Sequence, residues 1–221
     1  MNAAAKRPAA GCGTARAHPV ARELPEMVDV VFDLLGESLP AGYEWPLFRA
    51  IARAAPWIAD VPQAGVHPVR GNRVPEGGLL LARRAKLVVR MPRDRVCAAS
   101  VLEQTVLDLG GASVKLGQGT FRKLAPAPTL FSARVTTGEA DEIRFLETVE
   151  ESMAALGVEG QVICGRRLTV QLAEGPASAF GVAVHGLGEA HSLRLQAAGL
   201  GIGHEVGCGL LVPHKTIVAA A

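Results

Sequence analysis

Aromatic side chains are scarce in this sequence: six Phe, two Trp and one Tyr make up 4% of its 221 residues. That shortage excludes the paired strand aromatics on which β-sheet modules stack and read unpaired bases. The four cysteines, Cys12, Cys97, Cys164 and Cys208, stand far apart with no C-x-x-C spacing, so neither a zinc ribbon nor a disulfide framework is available. No H-E-x-x-H or H-x-x-E-H pattern occurs, and the sequence carries no metal signature. No apolar run approaches the roughly 18 residues a membrane helix needs, and no basic stretch leads into an apolar one at the amino end. The chain is therefore read as soluble and cytoplasmic, without a membrane partner. Charge of one sign is lacking too: 23 Lys and Arg against 21 Asp and Glu leave a formal +2, so net charge does not announce a polyanionic partner.

What is present is enough apolar residue, 49%, to bury a core in two small domains. Residues 1–26 are rich in Ala, Pro, Gly and Arg without periodicity and read as a flexible extension. A strand over 27–34 is followed by a helix over 43–55, with Leu47, Phe48, Ile51 and Ala55 on one face. A short strand over 65–70, a longer one over 79–91, a helix over 93–109 started after Pro92, and a strand over 112–124 complete a βαββαβ unit. After Pro126-Ala-Pro128 the order returns: strand 129–136, helix 139–156 with Ile143, Leu146, Val149, Met153 and Leu156 inward, strands 161–172 and 179–187, helix 189–198, a glycine-rich segment and strand 210–216. The expected fold class is α+β, two tandem ferredoxin-like units over 27–125 and 129–218. That fold alone licenses no function.

Three features carry chemistry. Basic residues cluster on the expected strands of the first unit, Arg70, Arg73, Arg83, Arg84, Lys86 and Arg90, and recur as Arg166, Arg167 and Arg194 in the second. Five glycines fall within residues 199–209. A backbone so bare lets amide donors approach a phosphate or a flipped base, which suits a polyanion. Six histidines supply groups that titrate near neutral pH: His18 in the extension, then His67, His185, His191, His204 and His214. The last four, with Lys215, are expected to gather around the glycine loop. The carboxylates of 139–151 read as the solvated face of one helix, and Trp45 and Trp57 as packing residues.

The spacing Gly199, Gly201, five residues, Gly207, Gly209 resembles the glycine-rich loop of the repeat-associated RNA-binding (RAMP) proteins of CRISPR systems. The segments Val30-Val-Phe-Asp-Leu34, Leu39-Pro-Ala-Gly-Tyr43, Gly65-Val-His-Pro-Val-Arg-Gly71, Ile163-Cys-Gly-Arg-Arg167 and His191-Ser-Leu-Arg-Leu195 are similar to the myxobacterial-type branch of the endoribonucleases that process CRISPR repeat RNA. The resemblance implies cutting at the base of a repeat hairpin without a metal cofactor. The 2′-hydroxyl attacks the adjacent phosphate, leaving a 2′,3′-cyclic phosphate and a 5′-hydroxyl. The mature guide RNA stays bound and enters a surveillance complex with other subunits. It also places the catalytic histidine after the first helix, at His67, with Arg70 and Arg73 nearby to neutralise the phosphate and Tyr43 to position a nucleotide. Some archaeal relatives use Tyr, His and Lys, whereas no lysine follows His67 until Lys86, so an arginine must supply the charge here. Arg73, Arg83, Arg84, Lys86, Arg90, Arg166, Arg167, Arg194, Gly199, Gly201, Gly207, Gly209, His214 and Lys215 are the expected RNA-binding residues. The alternatives are a non-catalytic guide-RNA-binding subunit, and a small-molecule or metal enzyme on the same duplicated scaffold.

Overall fold

The structure, a computed structural model, describes residues 24–75 and 77–215; most of the expected extension, with His18, lies outside them. The first unit contains β1 (Met27–Leu35), β2 (Ser38–Leu39), α1 (Glu44–Ala54), β3 (Gly65–Val66), β4 (Gly71–Arg73), β5 (Leu79–Leu81), β6 (Lys86–Pro92), β7 (Val106–Asp108) and β8 (Ser113–Lys123). The second contains β9 (Thr129–Val135), α2 (Glu142–Ala155), β10 (Gln161–Leu172), β11 (Gly175–His185), α3 (Glu189–Ala198) and β12 (Val212–Pro213). The sheet orders β3-β6-β1-β8-β7 and β10-β11-β9-β12 each contain the ferredoxin-like arrangement, antiparallel throughout.

In β1, Val28, Val30, Phe32 and Leu34 alternate onto the core face, where Leu47, Ala50 and Ile51 of α1 cover them. In the second unit the inward stripe of α2 is Phe145, Val149 and Met153, spaced four apart, with Phe145 packed on Phe180 at 4.5 Å between ring centroids. Ile143 was expected inward and is instead 68% exposed. Asp141 caps the helix by accepting from Arg144 N–H at 3.1 Å, which starts the helix later than expected and puts Phe145 over the sheet.

Several expected elements differ. The helix over 93–109 does not form: two short 3-10 turns, Arg93–Arg95 and Ala98–Leu102, lead into β7. Gln104 sits at φ 60°, a left-handed conformation that ends helical continuation, and Leu116 N–H then bonds Thr105 O at 2.9 Å as the chain enters the sheet. The strand over 79–91 is broken by a turn closed from Ala85 N–H to Ala82 O, and the halves join different sheets. The first half makes a small side sheet, β2-β5-β4. Of the last expected strand, Val212–Pro213 forms, followed by a bond from His214 N–H to Thr129 O at 3.0 Å, while Leu210 and Leu211 before it turn into the core and Thr216 lies outside the described residues. Among the described residues no helix is long and apolar enough to cross a membrane.

Candidate active site between the two units

His67 follows α1 and β3 on a short segment pinned from both sides. Its backbone N–H bonds Val88 O at 2.9 Å, and Val69 N–H bonds the Tyr43 hydroxyl at 3.0 Å. His67 lines a crevice too tight to admit a water, together with Tyr43, Glu44, Val66, Glu205 and Val206, so both units contribute walls. His67 Nε2 is buried and faces Asp29 Oδ1 at 3.5 Å, an ion-pair distance longer than a well-formed hydrogen bond. Burial holds the imidazole pKa below its ordinary value; the positive charges of Arg90 and Arg70 push the same way, against the pull of Asp29. Burial alone would raise the Asp29 carboxyl, but its contacts with His67 and Arg90 outweigh that and hold it well below the usual carboxylate range. At neutral pH the site thus holds a carboxylate beside a neutral imidazole.

Arg90 was expected on RNA and is not on the surface: its side chain is 1% exposed. Nε donates to Asp29 Oδ1 at 2.8 Å and Nη2 to Oδ2 at 3.2 Å, while Nη1 donates to Gln196 O at 3.0 Å and Leu211 O at 2.9 Å. Gln196 and Leu211 flank the glycine loop, so one guanidinium clasps both stems of that loop. Burying an arginine is tolerable only with such full pairing.

The glycine loop also departs from expectation. Gly199, Gly201, Gly207 and Gly209 all have φ between 67° and 84°, the left-handed region. What approaches them closely is the protein itself. A Cβ on Gly209 would lie 1.9 Å from Leu200 O, one on Gly201 2.1 Å from Thr136 O, and one on Gly207 2.8 Å from Val66 O. The N–H groups of Gly199, Gly207 and Gly209 are spent on Leu195, His204 and Arg134 carbonyls. The loop therefore does not offer these amides to a phosphate. It cradles residues 65–68, the segment that carries His67.

Tyr43 is buried, and its hydroxyl is engaged with Val69. It fastens the His67 segment, with the ring packed into the core of the first unit. Arg70 lies exposed just beyond Val69, close enough for its charge to act on His67. Arg73 is exposed on β4, and Arg83 and Arg84 on the turn before β6. Lys86 pairs with Asp33 at the start of β6, about 13 Å of strand from Arg90. Arg166 and Arg167 are exposed on the edge strand β10 at a register shift, Arg167 donating to Ser178 Oγ at 3.1 Å. Arg194 donates to the Leu156 and Gly157 carbonyls at the end of α2.

The histidines of the second unit do not gather. His204 alone lies in the loop, buried, with Nδ1 3.1 Å from Pro62 O. His185 Nδ1 meets Thr129 Oγ1 at 3.0 Å, His191 Nδ1 accepts from Glu159 N–H at 3.2 Å, and exposed His214, next to Lys215, lies against Phe131 at 5.3 Å between ring centroids. Trp45 packs on the second unit's cluster of Val170, Leu172, Ala179, Val206 and Cys208, as expected of a packing residue. Among the described residues no group of three or more His, Cys, Asp or Glu side chains is placed to hold a metal ion.

Sequence reasoning missed Asp29 and the inter-unit pair Arg134 Nη1 to Glu44 Oε1 at 2.9 Å. A partial signal existed: the apolar run Met27–Leu35 holds two aspartates, Asp29 and Asp33, where strands rarely place one, though only burial tells the half-buried Asp29 from the exposed Asp33.

The tandem ferredoxin-like architecture is that of solved RAMP and Cas6-related structures. A RAMP protein described as binding different RNA substrates superposes with a TM-score of 0.66 at 14% identity, covering 85% of this chain and 100% of that one. A Cas6-related protein from Pyrococcus furiosus superposes with a TM-score of 0.60 at 13% identity, covering 84% and 97%. These likenesses define the fold class. The family follows from sequence: the family model described as Cas6 Crispr matches residues 28–216. The CRISPR-associated endonuclease Cas6 of Myxococcus xanthus strain DK1622 is 32% identical over 188 residues, 84% of this chain and 81% of that protein. The chain belongs to the Cas6 family.

Proposed function

We propose that this protein is the endoribonuclease that cuts CRISPR repeat RNA, with His67 as the general base. The observation that carries the reading is a neutral, buried imidazole in a crevice between the two units, with an arginine close by. With Nε2 turned to Asp29, Nδ1 is the atom left to take a proton from the 2′-hydroxyl upstream of the cut. The oxygen then attacks the adjacent phosphorus, the P–O5′ bond breaks with the leaving 5′-oxygen taking up a proton from the imidazolium or from water, and the products are a 2′,3′-cyclic phosphate and a 5′-hydroxyl. No metal is needed for that transfer. Arg70, exposed and near enough for its charge to act on His67, supplies the positive charge that offsets the phosphorane. Arg73, Arg83, Arg84, Lys86, Arg166, Arg167, Arg194, His214 and Lys215 are surface groups from which phosphate grip can be drawn, and recognition rests on hairpin shape and backbone charge. Such a grip suits retention of the processed guide RNA and delivery to a larger complex.

The test is cleavage of the cognate repeat RNA in EDTA. Wild type is expected to give a single cut, and His67→Ala to lose roughly 10²–10⁴-fold in single-turnover rate, the usual contribution of a general base, while binding the hairpin within a few-fold. Undiminished cutting by that variant would move the base elsewhere. Binding without cutting by wild type would leave a guide-RNA-binding subunit.

A further inference from the structure

We propose that Asp29 is the positioning residue for His67, and that Arg90 ties this pair to both stems of the glycine loop, so that the histidine is set for reaction only when the two units are docked. The proposal rests on the reading of His67 as the base, and goes beyond it.

The geometry forms one chain of contacts. Asp29 projects from β1 at the register position opposite Arg90 of β6. Its carboxylate takes the guanidinium in a two-pronged grip at 2.8 and 3.2 Å, and Oδ1 also faces His67 Nε2 at 3.5 Å. A two-pronged Arg–carboxylate pair fixes the plane of the carboxylate, so Oδ1 is a rigid point against which the imidazole is oriented. Such contacts in unliganded sites are commonly long and shorten when substrate is seated. The carboxylate favours the tautomer with the proton on Nε2. It also stabilises the imidazolium that forms when Nδ1 takes the substrate's proton.

Arg90 extends the chain across the units. Its Nη1 donates to Gln196 O at the end of α3 and to Leu211 O just before β12. Between those residues the loop packs against Gly65 through Pro68: a Cβ on Gly65 would meet His204 O at 2.5 Å, and one on Gly207 would meet Pro68 Cδ at 2.9 Å. The second unit thus holds His67 twice, through the backbone of its segment and through Arg90 and Asp29. Displacing the loop removes the carbonyl partners of Arg90 and frees the carboxylate to rotate away from the imidazole.

The charged and titratable groups facing His67 are Asp29 on β1, Arg90 on β6, Arg70 on its own segment, Tyr43 and Glu44 from α1, and Glu205 from the loop. Of these, Asp29 favours the charged ring, while Arg90 and, less strongly, Arg70 oppose it. Replacing Asp29 by Asn removes the attraction that favours the imidazolium, so the ascending limb of the pH–rate profile moves to lower pH. A residue that merely stabilised the fold would leave that limb in place.

The experiment measures single-turnover cleavage of the repeat RNA between pH 5 and 8, RNA affinity and thermal unfolding for wild type, His67→Ala, Asp29→Asn and the paired Asp29→Asn/Arg90→Gln. Expected for Asp29→Asn are a rate lower by roughly 10²-fold, affinity within threefold, and the ascending limb displaced to lower pH. The paired variant leaves no uncompensated buried charge, which keeps the test valid if Asp29→Asn unfolds; its expected rate loss is at least tenfold. A folded Asp29→Asn with a wild-type rate, or with a reduced rate and an unmoved limb, overturns the proposal. So does a paired variant within threefold of wild type. If His67→Ala itself cuts normally, the assignment of the base has failed, which this design separates from failure of Asp29.

Discussion

Replacing Gly209 by Ala tests whether the glycine loop is an open cradle for phosphate or a packed joint. Gly209 is buried at φ 67°, and an added Cβ would stand 1.9 Å from Leu200 O, whose residue also donates its N–H to Gly209 O at 3.0 Å. The left-handed conformation costs an alanine about 1–2 kcal/mol. Relieving the overlap by shifting packed backbone adds about 1–3 kcal/mol. Together these give about 2–5 kcal/mol, and for a chain of this size about 2–4 °C of unfolding midpoint per kcal/mol. Gly186 supplies the control, since it shares a left-handed φ, 73°, but has nothing within 4 Å of an added Cβ. Gly186→Ala therefore carries the conformational cost without the overlap. The assay is thermal unfolding by circular dichroism, alongside hairpin binding by fluorescence anisotropy. Gly209→Ala is expected to unfold clearly below Gly186→Ala, and any loss of RNA affinity to follow the loss of folded protein. An unfolding midpoint equal to that of Gly186→Ala, combined with a large loss of affinity in folded protein, would refute the packed-joint reasoning.

Two further expectations concern charge and pH. Arg70→Ala is expected to lower the single-turnover cleavage rate more than hairpin affinity, whereas Arg166→Ala and Arg167→Ala should each flatten the slope of log affinity against log salt by somewhat under one unit; equal losses of rate and affinity for Arg70→Ala would make it an ordinary backbone contact. Burial lowers the pKa of both His67 and His204, so the unfolded chain binds more protons than the folded one as pH falls through the ordinary histidine value of about 6.5. Their stabilisation is complete above that pH and is lost below it, by at most about 1.4 kcal/mol per pH unit for each ring. The unfolding midpoint should drop between pH 7.5 and 5, and less steeply in His204→Asn; a flat profile would contradict the burial of both rings.

Much of this protein is dictated locally. The apolar run Met27–Leu35 and the capped amphipathic helix Glu142–Ala155 follow from composition and periodicity, because a strand or helix with an apolar face has few ways to bury it; the helix Glu189–Ala198, which buries Ser192, Leu195 and Gln196, has no such face to announce it. The duplicated order of elements made the tandem ferredoxin-like fold legible, and the segment carrying His67 stood out by resemblance. Tertiary structure decided the rest. Residues 93–109 have apolar spacing that fits a helix, yet the edge of the first sheet takes Val106–Asp108 as a strand, a choice that depends on β8. Arg90 reads in sequence like any basic residue on a half-buried strand. Only the meeting of β1, β6 and the loop stems surrounds it with a carboxylate and two carbonyls, turning a candidate phosphate contact into a buried clasp. The glycines likewise announce close approach without naming what approaches. Gly209 meets Leu200 O within the loop itself, whereas the partners of Gly201 and Gly207, Thr136 O and Val66 O, come from β9 and the His67 segment, distant stretches of chain that no local pattern encodes.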